Sequence, residues 1–465
     1  MLDHVIIYAR DSCNRMRDRA FRMYEGLKFV NDGLTISYDD CDLDNSISVV
    51  KTACSFDICY RIFIQATIAT MLLKYYIFGA LCFIQCLSSD QTQFPSAQEN
   101  QIRVGAERTD QYIHNLTDKK VGMVVNHTSV IGTDHLVDYL IDQDIDVTAI
   151  FAPEHGFKGG ADAGAEIDNG MYKSSIPLYS LYGKTKKPSD EMLAGIDVLV
   201  FDIQDVGARF YTYLSTLHYA MEAAAENGIS IIVLDRPNPN GHLIDGPIME
   251  EEFMSFVGLH PVPIVYGMTI GEYAYMINGE GWLANQIKAD LSVIPCQHYR
   301  HDSYYELPIA PSPNLPNLKS ILHYPSLCLF EGTTVSVGRG TTQQFQLYGH
   351  PDIIGEHSFT PISRDGAKYP KHEGVTCHGV NLSAVDVRDI RNKSQLDLSY
   401  LIDAYERLNS KNAQFFNDNN FFEKLAGTAT LRNQITQGLS EVEIRSTWQA
   451  DLSAFKKIRS KYLIY

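Results

Sequence analysis

Four short apolar runs, each ending in polar residues, constrain this chain more than any other feature. They read "KVGMVVNHTS" (120–129), "VTAIFAPEHG" (147–156), "IDVLVFDIQDVG" (196–207) and "ISIIVLDRPNPNG" (229–241). Between them lie segments with helical spacing, among them "HLVDYLIDQ" and "LSTLHYAMEAAAENG", the second closed by Gly228 as a C-terminal cap. A strand covered on one face alternates apolar and polar residues, whereas a strand covered on both faces stays apolar. Apolar runs of five or six residues alternating with amphipathic segments therefore predict a parallel sheet with crossover helices, a Rossmann-like α/β layer.

In an open parallel sheet the carboxyl ends of the strands share one edge, and ligands bind in the crevice outside it. The polar residues at those ends are Asn126 and His127, Glu154 and His155, Asp202 and Asp205, and Asp235, Arg236 and Asn238. At any single strand end, Asp and Asn are ordinary turn formers and helix caps. Four such ends together, with Glu–His and Asp–Arg pairs among them, predict one shared cleft. The stretch "DIQDVGARFYTY" adds Arg209, Tyr211 and Tyr213. The turn after the first run, "NHTSVIG", lacks the glycines of GxGxxG or GxxxxGK[ST] that let a backbone approach phosphates. No nucleotide cofactor is expected.

Composition narrows the class. A chain of 465 residues exceeds one ordinary core, so two domains are expected. Hydrophobic content of 45% and charged content of 20% describe a soluble globular protein. A formal charge of -17, with no basic run in the main body, argues against a nucleic-acid partner. An anionic polymer stays open as a substrate where local Arg residues recognise it. Six of the nine cysteines lie in the first 90 residues; Cys296, Cys328 and Cys377 follow without CxxC spacing and read as small buried apolar residues.

The beginning of the chain is unlike the rest. Residues 1–70 show no period and are expected to be an upstream extension without a role in function. From Met71, "MLLKYYIFGALCFIQCLSSDQ" has the order of a secretory signal peptide, placed at 71–90. A membrane anchor over residues 62–87 competes, although Lys74 near its middle is costly there. A lipid-modified Cys86 is a third reading, against which Phe83-Ile84-Gln85 lacks small residues. The expected location is periplasmic or secreted, with membrane association only where this segment is retained as an anchor.

The Rossmann-like domain is expected to span 102–248, and a second, smaller α/β domain 249–465, closing a cleft between them. In the second part, Thr269 is placed as the N-cap of a helix carrying Glu272 in its first turn. "LFEGTTVSVGRGTT" is a loop holding Glu331 and Arg339, "GVTCHGVNLSAVDV" a strand, and Leu452, Phe455, Ile458 and Tyr462 the core-facing stripe of the last helix. HExxH, GxSxG, SxxK and a Cys/His nucleophile signature are all missing. What the cleft offers is acids, His, Arg, Asn and Tyr, which suits sugar recognition and glycosidic cleavage, where one acid protonates the leaving oxygen. Phe151 and Phe157 are expected around Glu154, where an apolar setting keeps an acid protonated.

Several long motifs go further. "FAPEHGFKGG", "IPLYSLYGK", "DVLVFDIQDVGARFYTYLST", "VLDRPNPNG", "GMTIGEY", "PSPNLP", "FEGTTVSVGRGTT" and "FKKIRSKYLIY" run in this order from about residue 102 to the C-terminus. They resemble the bacterial exo-β-N-acetylmuramidase (NamZ-like) family. The resemblance implies a secreted or periplasmic glycosidase that releases N-acetylmuramic acid from non-reducing ends of peptidoglycan fragments. It also implies a Rossmann-like domain plus a smaller C-terminal one, a site between them, and no cofactor. It places the catalytic glutamate in the PEHG motif, here Glu154, with His155, Asp202, Asp205, Arg209, Asp235, Arg236 and Asn238 as cleft residues.

One departure is "RGTTQQFQLYG", where Gln343 and Gln344 stand in place of the Pro and Phe expected after the threonines. N-acetylmuramic acid carries a lactyl carboxylate, for which Arg209, Arg236 and Arg339 are candidates. Glu154 is taken as general acid/base, with His155 or Asp202 orienting it or the water; Asn126 and Tyr211 complete the binding set. Two alternatives stand beside this reading. One is a cell-wall carbohydrate-binding protein without turnover. The other is a metal-dependent hydrolase using His127, Glu154 and His155, for which adjacent Glu-His is poor ligand spacing.

Overall fold

The computed structural model describes residues 101–465, so the upstream extension and signal peptide expected at 1–90 lie outside the described residues. The main sheet is built from β1 (Lys120–Val125), β2 (Asp146–Ala152), β3 (Gly170–Tyr172), β4 (Ile176–Ser180), β5 (Val198–Asp202), β6 (Ser230–Leu234) and β7 (Leu291–Ile294). The four apolar runs are β1, β2, β5 and β6. Strand order is β7-β6-β5-β1-β2-β4-β3, and every neighbouring pair is parallel except β3 with β4.

The chain builds outward from β1 through β2 to β4, then returns to the other side of β1 and continues through β5, β6 and β7. Its direction of growth reverses between β1 and β5, the topological switch point at which doubly wound sheets bind ligands.

Both faces of the sheet are covered, which is why the runs are apolar throughout. On one face Met123, Val125, Val200 and Ile232 pack with Leu136 and Leu140 of α1 (Leu136–Asp142). On the other, Val124, Phe151, Leu199, Phe201 and Val233 share a core with three helices: α2 (Asp190–Leu193), α3 (Tyr213–Glu226) and α4 (Ile270–Glu280). Phe201 is fully buried, a contribution of about 1.5–3 kcal/mol from one side chain. Helix α3 closes at Asn227 and Gly228, the latter at φ 65°, in the left-handed region a glycine enters without strain. Helix α4 opens on a capping box. The Thr269 hydroxyl accepts from the Glu272 N–H, and the Glu272 carboxylate accepts from the Thr269 N–H at 2.9 Å.

Beyond the sheet, α5 (Leu318–Leu327) runs into a 3-10 helix over Cys328–Gly332. A small antiparallel sheet follows in the order β8-β10-β9, from β8 (Leu347–His350), β9 (His357–Phe359) and β10 (Cys377–Asn381). Five further helices lead to the last one, Gln449–Arg459. Its Leu452 and Phe455 are buried, with Ile458 and Tyr462 packed against the same core. Cys296, Cys328 and Cys377 are free and buried.

The boundary expected at 248/249 falls inside the chain that forms the main sheet, because β7 pairs in parallel with β6. One apolar cluster also runs from Phe201 through Phe345 to Phe422 and Trp448, so residues 101–465 pack as one compact unit. Among the described residues no helix is long and apolar enough to cross a membrane.

Candidate functional site

Strand β2 stops at Pro153, which has no N–H to continue the ladder. The chain then turns sharply: His155 and Gly156 sit at φ 68° and 73°, and the Gly156 N–H donates to the Pro153 carbonyl at 2.9 Å. A non-glycine residue at positive φ is uncommon, and such strain concentrates at functional sites. The turn leaves Glu154 nearly buried but held from two sides. Its Oε1 accepts from the Gly164 N–H at 3.0 Å, and its Oε2 from the Thr212 hydroxyl at 2.6 Å. Thr212 is the residue before the first turn of α3, so the carboxylate meets the positive end of a 14-residue helix. Burial, and then the Glu154 charge beside it, push the Tyr182 phenol well above its ordinary pKa.

The neighbouring imidazole is also fixed. His155 Nδ1 lies 2.6 Å from the Ala161 carbonyl, which can only accept, so Nδ1 carries the proton. Burial lowers the His155 pKa, against the opposing pull of Glu154. The ring is therefore neutral near pH 7 and offers Nε2, which has no protein partner among the described residues, as an acceptor.

Glu154 and His155 open on a cavity of about 270 Å³. Its near wall includes Tyr182, Tyr211 and Tyr213, and its far wall Asn314, Tyr324, Glu331, Arg339 and Phe345, from the second half of the chain. Arg339 Nε donates to Glu331 Oε1 at 2.8 Å, and the guanidinium lies 5.1 Å from the Phe345 ring centre. Burial alone would raise the Glu331 pKa, but Arg339 and Lys371 hold it below the ordinary value. Asn314 Nδ2 donates to the Gly366 carbonyl at 2.7 Å, while its Oδ1 is buried without a donor among the described residues. A larger cavity of about 530 Å³, walled by Trp282, Trp448 and Phe455, brings together none of the strand-end residues.

Of the residues selected from sequence for the site, Glu154, His155, Tyr211 and Arg339 line the cavity, as do Tyr213 and Glu331 noted beside them. Seven others do not, and each makes hydrogen bonds within the protein, although Asn126 Nδ2, Asp205 Oδ1 and Arg209 Nε are buried with no partner among the described residues. Asp202 at the end of β5 faces Arg236 after β6: Arg236 Nε and Nη2 donate to its two oxygens at 2.5 and 2.8 Å, and both side chains are buried. Asn126 Oδ1 accepts from the Thr128 N–H and hydroxyl. Asp205 accepts from the Gly207 N–H and the Tyr266 hydroxyl, and burial pushes its pKa up to about 6. Arg209 spends its terminal nitrogens on the carbonyls of Pro247, Val262, Leu425 and Ala426. Asp235 accepts from the N–H groups of Arg236 and Gly271 and from the Tyr465 hydroxyl, with a pKa pushed by burial up to about 7. Asn238 bridges the Asn240 N–H and the Met268 carbonyl.

Two further expectations change. Phe157 packs on His135 and Tyr172, and Phe151 stacks on Tyr179, so neither forms the wall beside Glu154; tyrosines do. The metal set of His127, Glu154 and His155 is not assembled. His127 Nε2 is taken by the Ala310 carbonyl at 2.8 Å, and among the described residues no three His, Cys, Asp or Glu side chains gather closely enough to hold a metal ion. Gln343 donates to the Ser383 hydroxyl and Gln344 is buried, both off the cavity wall; the next residue, Phe345, lies on it.

Thr212, Tyr182, Asn314 and Phe345 are the residues that the reading of strand ends missed. Tyr182, Thr212 and Asn314 lie within motifs quoted for the family resemblance, but nothing in their spacing marks them as sharing a cavity with Glu154.

Known proteins resemble this chain over most of its described length. The family descriptions "Exo-beta-N-acetylmuramidase NamZ, N-terminal" and "Exo-beta-N-acetylmuramidase NamZ, C-terminal" match residues 121–319 and 322–465. The chain is 40% identical over 424 residues to the peptidoglycan beta-N-acetylmuramidase NamZ of Bacillus subtilis, covering 86% of this chain and 100% of that protein. Two crystal structures of DUF1343 family proteins from Bacteroides fragilis share the fold. One has a TM-score of 0.72 at 47% identity, covering 78% of this chain and 99% of its own. The other has a TM-score of 0.66 at 30% identity, covering 79% and 99%.

Proposed function

The chain belongs to the exo-beta-N-acetylmuramidase NamZ family, and from that premise we propose how it releases N-acetylmuramic acid from the non-reducing ends of peptidoglycan fragments. The observation that carries the mechanism is the pair of fixed groups at the mouth of β2. Glu154 is held by Thr212 and Gly164, and His155 presents a free Nε2 to the same cavity. Glu154 gives its proton to the glycosidic oxygen as the bond to the anomeric carbon opens. Water adds to the anomeric carbon as that bond breaks, and His155, neutral and accepting, orients it through Nε2 and takes up the proton it loses. Asp202, buried against Arg236, holds the strand ends together and takes no part in proton transfer.

Muramyl glycans are the substrate class, and Tyr211 and Asn314 on the cavity walls are the polar and aromatic surfaces that a sugar meets. Peptidoglycan lies outside the cytoplasmic membrane, and residues 71–90 have the order of a signal peptide; both support a periplasmic or secreted location. Digestion of defined muropeptides, with products identified by mass spectrometry, tests the reading. Release of one N-acetylmuramic acid from the non-reducing end, leaving a fragment that begins with N-acetylglucosamine, is the expected result. Internal cleavage products, or tight binding without turnover, contradict it.

A further inference from the structure

Three arginines compete in the sequence for the lactyl carboxylate, and their surroundings separate them. Arg209 Nη1 and Nη2 are shared among four backbone carbonyls, and Arg236, buried off the cavity wall, gives Nε and Nη2 to Asp202 and the Val130 carbonyl. Arg339 alone of the three lines the cavity. Only its Nε is committed, to Glu331; Nη1 and Nη2 have no protein partner among the described residues. A guanidinium with Nε tied behind it presents two parallel N–H groups ahead of it, the geometry that takes a carboxylate bidentately.

What surrounds Arg339 is built to hold that orientation. The guanidinium lies over the ring of Phe345, which is fully buried and sits at φ 53°. A bulky aromatic in the left-handed region is strained, and no other Phe, Tyr or Trp among the described residues adopts it. Glu331 lies in the 3-10 helix Cys328–Gly332, and the Lys371 ammonium grips that segment by the carbonyls of Phe330, Glu331, Thr333 and Val335 at 2.6–3.4 Å. Lys371 thus fixes Glu331, and Glu331 with Phe345 fixes Arg339. The side chains of Arg339 and Glu331 are 24% and 20% exposed, enough for contact with a ligand and dry enough for charge to count.

We propose that Arg339 reads the lactyl carboxylate of the substrate, with Glu331 and Phe345 as its positioning residues, and that this unit sets selectivity for muramic acid over glucosamine glycosides. The proposal rests on the muramidase reading above and names the group in the site that enforces it. Glu331 is a positioning residue here, not the group that attacks or protonates.

The test compares an aryl β-glycoside of N-acetylmuramic acid with its lactyl methyl ester and with the N-acetylglucosamine analogue. Wild type is expected to prefer the free acid over the ester by on the order of 100-fold in kcat/KM, the worth of a charge-assisted bidentate pair. Arg339→Gln is expected to lose that factor on the acid, change the ester and the glucosaminide by less than about threefold, and so abolish the preference. Arg339→Lys keeps a charge without the fork and recovers part of it. Glu331→Gln is expected to raise KM on the acid about 10-fold with kcat within about threefold. Retained acid-over-ester preference in Arg339→Gln, or equal losses on both substrates, overturns the assignment. Collapse of kcat on all three substrates in Glu331→Gln overturns the positioning role. Wild type that is folded yet inactive on all three refutes the muramidase reading itself.

Discussion

Replacing Asp202 by asparagine removes the charge that faces Arg236 while keeping the size of the side chain. Both members of this pair are buried, joined by two hydrogen bonds that tie the end of β5 to the residue after β6. Breaking a buried ion pair by neutralising one member costs about 3–5 kcal/mol, because the remaining charge has no water to turn to. Asparagine still offers one oxygen to the guanidinium, which puts the expected cost at the lower end, about 3 kcal/mol. Unfolding entropy near 2 cal/mol/K per residue, over the described 365 residues, turns that into a fall in Tm of about 4 °C. Thermal unfolding followed by circular dichroism measures it, beside initial rates of N-acetylmuramic acid release at 20 °C. The rate per folded molecule is expected to stay within about threefold of wild type, because Asp202 is not on the cavity wall. An unchanged Tm with a rate loss of about 1,000-fold would refute the reasoning and return Asp202 to the chemistry.

Thr212→Val removes the hydroxyl that orients Glu154 but no cap bond, since the Thr212 side chain makes none to α3; kcat is expected to fall about 10-fold with Tm unchanged, and a change in KM alone would contradict it. Asp235→Asn tests the buried carboxyl whose pKa rises from 3.8 unfolded to about 7 folded. Folding then favours the protonated form, so this stability is present below about pH 4 and is lost as pH rises through about 7. Urea midpoints should show the variant gaining on wild type between pH 4 and pH 7 and holding its gain at pH 8; a difference that does not vary with pH sinks the prediction.

The sheet was legible because burial on two faces leaves a signature that a single sequence carries: β1, β2, β5 and β6 each appear as an uninterrupted apolar run. Strand β7 escaped because "LSVI" sits in a segment rich in Pro, Tyr and Gly, and its partners lie on the other side of α4 in sequence. The carboxyl-edge rule led to Glu154 and His155, which line the cavity, and also to seven residues that do not. A polar residue at a strand end either points outward into the crevice or sideways to the next strand, and composition does not distinguish the two. Asp202 and Arg236 point sideways at each other, from adjacent strands whose pairing the sequence does not announce. Arg339 was recognisable as a candidate but not as the one in the cavity, since its orientation depends on Phe345 adopting a backbone angle that no propensity predicts.

The central claim is that Glu154 supplies the proton to the leaving sugar. Glu154→Gln keeps the shape of the side chain and an acceptor for one of its two donors, but has no acidic proton to give. The most direct measurement is hydrolysis of a disaccharide with N-acetylmuramic acid at its non-reducing end, because a sugar leaving group needs that proton where an aryl one does not. The expected result is a fall in kcat of on the order of 1,000-fold, with Tm within about 2 °C of wild type and the disaccharide still bound. Release of N-acetylmuramic acid within about 10-fold of wild type, from a folded Glu154→Gln protein, would contradict the account.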